Sequence, residues 1–331
     1  MKKDKKTFLK LFLATLIGTA AFILVFYIII RFPTNHLLKS ELAPKAFIHL
    51  NENTTELADK TDSISSRQSK PPQIRVAIGP IFSPEASLRL FEGIVNYLGH
   101  ALNRDAVLVQ RSTYAETNQA IRNGECDIAF VCSFAYLRGA KDFDLEPLAV
   151  PVIDNKVTYY SYIIVPVQSK ANSLLDLKGL RFASADIFSN SGWLFPVNWL
   201  ISHGKDPKHF FSEHIITGGH DNAIIAVSSG LADGAAVASI VYDQLVFENP
   251  ALADRIRIIM KSPPYGMPPL VCRSGIDSTF KKDILFALLH MHQDVEGQKA
   301  LSVLRFQKFV MPPPKLFDPV KNAIKEYESL K

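Results

Sequence analysis

Between a strand-like RFASAD and a helical run that begins near residue 192, the chain reads Ser189-Asn190-Ser191-Gly192-Trp193. Serine and asparagine are favoured at helix N-caps, and a helix start presents unpaired backbone N–H groups at the positive end of its dipole. Residues of these types at this spacing can hold an oxyanion, with the Asn190 amide and the serine hydroxyls as further donors. Pro196 fits the placement, because its missing N–H costs little in or just beyond a first turn. Other chemistry is poorly represented. There is no GxSxG, no HExxH, no phosphate-cradling GxxxxGK and no GxGxxG opening a helix. His290 and His292 sit two apart on a predicted helix and face different ways, so no metal site is expected there.

The elements that must position this loop alternate. RVAIG reads as a strand, 86–102 as an amphipathic helix, AVLVQ as a strand, 113–123 as a helix and CDIAFV as a strand. The rhythm resumes with RFASAD, a helix over about 192–203, HIITG, a helix over 220–229 and GAAVAS. DSTFKKDILFALLHMHQ and PVKNAIKEYESL add C-terminal helices. Such alternation predicts parallel sheets covered by helices on both faces.

Ahead of this region the chain has a different character. Residues 11–30 carry no charge, and at about 1.5 Å per residue they match a hydrocarbon core roughly 30 Å thick. Their length exceeds a signal-peptide core, which predicts an uncleaved transmembrane signal anchor over 11–31. Lys2, Lys3, Lys5, Lys6 and Lys10 precede it and Arg31 and Lys39 follow, so residues 1–10 form a cytoplasmic tail and the remainder lies outside. Those lysines, against Asp4, hold most of the chain's net charge of +5. No basic stripe is left to suggest nucleic acid. Residues 32–72, rich in Ser, Thr and Asn and closing on Pro71-Pro72, read as a polar linker, with apolar positions in 36–50 that allow a short helix. At 331 residues, 47% hydrophobic and 21% charged, the chain is long enough for two lobes. Cys126, Cys132 and Cys272 form neither a CxxC nor an even set. If DIAFV is extended, it holds Cys126 and Cys132 roughly 20 Å apart, too far to bridge. The three read as small buried hydrophobes, with a pairing through Cys272 open.

From about residue 73 to 275 the chain resembles the phosphonate/phosphate/phosphite-binding periplasmic proteins that feed ABC importers. The resemblance lies in Tyr114-Ala-Glu-Thr-Asn-Gln-Ala-Ile, Cys126-Asp-Ile-Ala-Phe, Tyr159-Tyr160-Ser161-Tyr162, Ser189-Asn-Ser-Gly, Gly219-His220-Asp221 and Lys261-Ser262-Pro263, in the family's order. It implies a bilobed, type II periplasmic-binding α/β fold with two parallel-rich sheets. Lobe one would be about 73–158 plus 262–331, and lobe two about 159–261. It implies a cleft in which Tyr114, Tyr159 or Tyr160, Ser189, Asn190, Ser191, Gly192 and His220 hold a small phosphorus oxyanion without a cofactor. The family's loop usually reads Ser-Thr-Ser-Gly, so Asn190 is a departure. Where relatives place carboxylates for the ammonium of an aminoalkyl phosphonate, this chain has Ile240 and Pro268, which disfavours such a ligand; Asp243 is the nearest substitute. The implied function is solute capture for an ABC permease. The alternative is a tethered oxyanion sensor reporting to a signalling partner such as a kinase. No enzyme activity is expected, Cys132 and Ser133 being the nucleophile candidates if there were one.

Overall fold

The computed structural model describes residues 47–49 and 72–329. The tail at 1–10, the expected membrane anchor at 11–31 and most of the 32–72 linker lie outside the described residues. Among the described residues no helix is long and apolar enough to cross a membrane.

In chain order the strands are β1 (Phe47–His49), β2 (Gln73–Ile78), β3 (Asp105–Gln110), β4 (Ile128–Phe130), β5 (Glu146–Val152), β6 (Thr158–Tyr159) and β7 (Ser161–Pro166). They continue with β8 (Arg181–Ser184), β9 (Glu213–Ile216), β10 (Gly234–Ala238), β11 (Ile256–Lys261), β12 (Tyr265–Gly266), β13 (Leu270–Cys272) and β14 (Lys308–Val310). They form a seven-stranded sheet in the order β1-β3-β2-β4-β13-β5-β14 and a five-stranded sheet in the order β11-β7-β10-β8-β9. The chain passes between the sheets along β6 and β12, which pair antiparallel with Tyr159 opposite Tyr265.

Both sheets are mixed rather than parallel-rich. The parallel pairs are β2 with β3 and β4, and β8 with β9 and β10. The strands that enter from the crossings run the other way: β13 inserts antiparallel between β4 and β5, and β7 between β10 and β11. The reason is geometric. The C-terminal ends of the parallel strands, with the helix starts that follow them, face the junction between the sheets. A strand that begins at that junction must therefore run opposite to them. A second correction concerns β1, which pairs with β3 (Phe47 opposite Val109) where the sequence allowed a short helix. The outer edge of β3 offers unpaired backbone groups that a short strand satisfies.

Helix packing follows the pattern in the sequence. In Pro84–Leu102 the buried positions Leu90, Phe91, Ile94, Val95 and Leu98 recur at three- and four-residue steps. Each such side chain stabilises by about 1.5–3 kcal/mol relative to exposure. The helices Tyr114–Arg122, Ser133–Phe143, Phe195–Ser202, His220–Ser228 and Ser239–Glu248 each follow one of the parallel strands. Their first turns therefore collect at the junction.

The cysteines are free and buried, Cys126, Cys132 and Cys272 alike. Burial pushes the thiols of Cys126 and Cys132 up to about 12 and that of Cys272 up to about 11. The thiolate is the reactive form, so the native chain is expected to show no fast-reacting thiol at pH 8 and all three once unfolded in guanidinium. A rapid reaction of the native chain with a chromogenic disulfide would contradict this.

Candidate functional site

The loop after β8 folds tightly. Ser189 caps a single π-helical turn, Asn190–Leu194, which runs straight into the Phe195–Ser202 helix. Ser189 Oγ accepts the Gly192 N–H at 3.0 Å, and Ser189 O accepts the N–H groups of Trp193 and Leu194. Ser189, Asn190 and Ser191 are all buried. Predicted to begin near 192, the helical run thus starts at Asn190, because the cap supplies partners for the first free N–H groups. The backbone O of Ser191 accepts from Ser161 Oγ at 2.6 Å, which ties the loop to the crossing strand β7.

His220, 2% exposed, stands beside this loop. Its Nδ1 accepts the Ala238 N–H at 3.2 Å, so in the neutral ring the proton is on Nε2, 3.1 Å from Ser189 Oγ. Ser189 Oγ then accepts twice and keeps its own hydrogen to donate. Burial pushes the imidazole pKa down to about 3, so the ring is uncharged at neutral pH. Gly192 eases the approach, since a Cβ there would lie 3.2 Å from His220 Cε1, a tight contact.

Of the two neighbouring tyrosines, the structure brings Tyr159 to the loop. Asn190 Nδ2 donates to Tyr159 Oη at 3.1 Å. Tyr160 points elsewhere, as alternation along an extended chain requires. Its N–H donates to Ser239 Oγ and its ring carries Lys261 Nζ at 3.7 Å. Tyr114 comes from the other half of the molecule, at the start of its helix. Gly79 packs so closely on its ring that a Cβ would lie 2.7 Å from Cε1. Tyr114 Oη is buried without a hydrogen-bond partner, and so is Asn190 Oδ1. Cys132 lies next to Tyr114, but its thiol donates to Phe188 O and accepts the Ala135 N–H. Ser133 Oγ donates to Gly266 O at 2.6 Å. Neither candidate nucleophile is activated, Cys132 being a neutral thiol.

Sequence reasoning missed the groups that join the halves. Asp186 Oδ2 accepts the Tyr114 N–H at 3.1 Å while Oδ1 accepts the Phe188 N–H at 2.6 Å. Burial raises the Asp186 pKa and these two donors oppose the rise. Asp221 Oδ1 accepts the Ser83 N–H at 2.8 Å, and the His220 N–H donates to Ile81 O at 3.0 Å. Both carboxylates thus sit on helix starts of the opposite half, where the dipole favours them. Asp186 stands where Asp-x-x-Ser marks a turn, a usable local signal; Asp221 has none.

These residues gather on neutral donors from both halves, a setting suited to a small oxyanion. Comparison with known proteins places the chain in a family. A family model described as "ABC transporter, phosphonate, periplasmic substrate-binding protein" matches residues 76–315. The chain is 26% identical over 201 residues to the phosphonates-binding periplasmic protein of Escherichia coli (strain K12), covering 59% of each chain. It therefore spans about three-fifths of that relative's length. It is 25% identical over 217 residues to the phosphate-import protein PhnD of Mycolicibacterium smegmatis, covering 62% of this chain and 67% of that one. In three dimensions it is similar to a binding-protein component of an ABC phosphonate transporter from Pseudomonas aeruginosa. That match has a TM-score of 0.73 and 22% identity, over 79% of this chain and 90% of the other. The likeness shows a bilobed α/β periplasmic-binding fold.

Proposed function

Given that the chain belongs to the periplasmic substrate-binding proteins of phosphonate ABC transporters, we propose that it captures a phosphorus oxyanion between its two halves and releases it to an ABC-type importer. The ligand is phosphate, phosphite or a small phosphonate. The observation that carries this reading is the buried, unpartnered hydroxyl of Tyr114. Burying such a group without a partner costs about 1–3 kcal/mol, a cost that an anion oxygen would remove. Tyr159, with Asn190 bonded to it, and Ser189, with His220 bonded to it, supply the remaining donors in this reading. Neutral donors suit the task, because they hold the anion through oriented dipoles that need no counter-charge. The capture is reversible and involves no covalent step. The binding region acts outside the cytoplasm, and residues 11–31 tether it to the membrane.

Titration calorimetry of the full chain with phosphate, phosphite and methylphosphonate tests the reading. At least one is expected to bind, and Tyr114→Phe is expected to weaken it about tenfold to a hundredfold, the worth of a hydrogen bond to a charged group. No heat with any of the three would refute the ligand class and leave the fold untouched.

A further inference from the structure

The helix Ser239–Glu248 belongs to the half that carries His220, and its start is tied to the candidate site. The Ala238 N–H donates to the His220 imidazole, and Ser239 Oγ accepts the Tyr160 N–H. Its far end is tied to the opposite half. Buried Gln244 donates from Nε2 to Val303 O at 3.0 Å, and the Arg89 guanidinium forks onto the Glu248 carboxylate at 2.9 and 3.1 Å. Arg305 Nη1 donates to Asp243 O at 3.3 Å, while its guanidinium lies over the Phe247 ring, 5.4 Å from the centroid. Arg89, Val303 and Arg305 all come from the half that carries Tyr114. Asp154, 3.8 Å from Arg305 Nη2 and 77% exposed, belongs to that same half and adds little.

Arg305 holds this position against its own backbone preference. It follows the Val295–Val303 helix in the left-handed region, with φ of 57°. The Arg305 N–H bonds Ser302 O and the Phe306 N–H bonds Leu301 O, the Schellman ending in which glycine is the usual residue. Asparagine and aspartate tolerate that region through their short polar side chains, and Asn103, Asp144, Asp154 and Asn155 occupy it here. Arg305 and Lys315 lack that means, and of the two Arg305 reaches the other half. A strained residue of this kind persists where its side chain is needed. Of the two arginines, Arg305 is the better placed to matter. Its side chain is 32% exposed against 57% for Arg89, whose ion pair is screened by water and salt. Building on the oxyanion reading, we propose that Arg305 is a positioning residue: it latches the Ser239–Glu248 helix onto the opposite half once the halves meet, and so sets how long the anion is retained.

The test uses the full chain with whichever of phosphate, phosphite and methylphosphonate it binds by calorimetry. Arg305→Gly is expected to weaken affinity about threefold to tenfold, the worth of one cation–π contact and one partly exposed hydrogen bond. Stopped-flow tryptophan fluorescence, with Trp193 in the Asn190–Leu194 turn as reporter, should place that loss in faster release. Association should be unaltered, because the latch forms only after the halves meet. The thermal midpoint of the anion-free chain should not fall, since glycine relieves the left-handed backbone. Phe247→Ala, which removes an exposed ring from the other half, should speed release about twofold to fivefold and add nothing to Arg305→Gly. Unaltered release in both variants overturns the latch and leaves the oxyanion reading standing, as does a loss confined to association. A lower midpoint with unaltered affinity overturns it too, marking Arg305 as a residue of the fold alone. Should Arg305→Gly fail to fold, Phe247→Ala decides by itself. Silence of the unaltered chain with all three anions removes the oxyanion reading and this proposal together.

Discussion

Gly219→Ala is expected to lower oxyanion affinity by about tenfold to a hundredfold. Gly219 precedes the His220–Ser228 helix in extended backbone, with φ of −177°, a conformation open to any residue. Local strain is therefore not the reason for glycine. The reason is contact: a Cβ would lie 2.5 Å from the Asp221 carboxylate and, in the opposite half, 2.6 Å from Ser83 N and 2.9 Å from the Phe82 carbonyl carbon. The latter two are backbone atoms and cannot swing aside. The added methyl must push the halves apart, stretching the His220 to Ile81 and Ser83 to Asp221 hydrogen bonds. Overpacking of this kind costs about 1–3 kcal/mol, and the cost falls on the state in which the halves meet. Calorimetry, paired with small-angle scattering with and without anion, separates the effects. Unaltered affinity in the alanine variant would remove the argument that closure over this contact traps the ligand.

His220→Ala is expected to weaken anion binding by a similar factor and to flatten the dependence of stability on pH. The imidazole is buried and held neutral, with its pKa pushed down to about 3. In the unfolded chain it titrates near 6.5. The unfolded state therefore takes up a proton that the folded state refuses, and stability falls as the pH drops. The contribution is complete above about pH 6.5 and is lost on the way down to about 3, with a slope of up to about 1.4 kcal/mol per pH unit. His214, pushed down to about 4 by burial, adds to the same fall and remains in the variant. Thermal denaturation between pH 7 and pH 4 should thus show a shallower slope for His220→Ala without abolishing it. Parallel slopes for the two proteins would show that His220 titrates normally in the folded chain. The variant also leaves the buried Ala238 N–H without its acceptor, which costs about 1–3 kcal/mol in stability at every pH. That offset moves the whole curve and leaves its slope alone.

Much of the site was legible because its chemistry is local. Ser189 caps a helix through Gly192, three residues on, and the residue types alone announce it. The strand and helix rhythm was legible for the same reason, since hydrophobic periodicity is written within each element. The grouping of Tyr114, Tyr159 and His220 with that cap came from resemblance to a family, because nothing local to any one of them points to the others.

What the sequence by itself determined, then, are features set within a few residues: the capped turn at Ser189–Gly192, the helix starts at Tyr114 and His220, and the apolar character of Ile240 and Pro268. Tertiary structure alone decided which face of the crossing strand meets the loop, and so Tyr159 rather than Tyr160. It also decided that β7 and β13 run antiparallel within their sheets, that β1 pairs at the edge, and that Asp186 and Asp221 reach across to helix starts in the other half. Gly219 owes its identity to a backbone more than a hundred residues away. The physical reason is common to all of these. Capping and periodicity depend on bonds between neighbours in the chain, whereas strand direction, side-chain facing and close approach depend on where the second half of the molecule lies once both crossings are made.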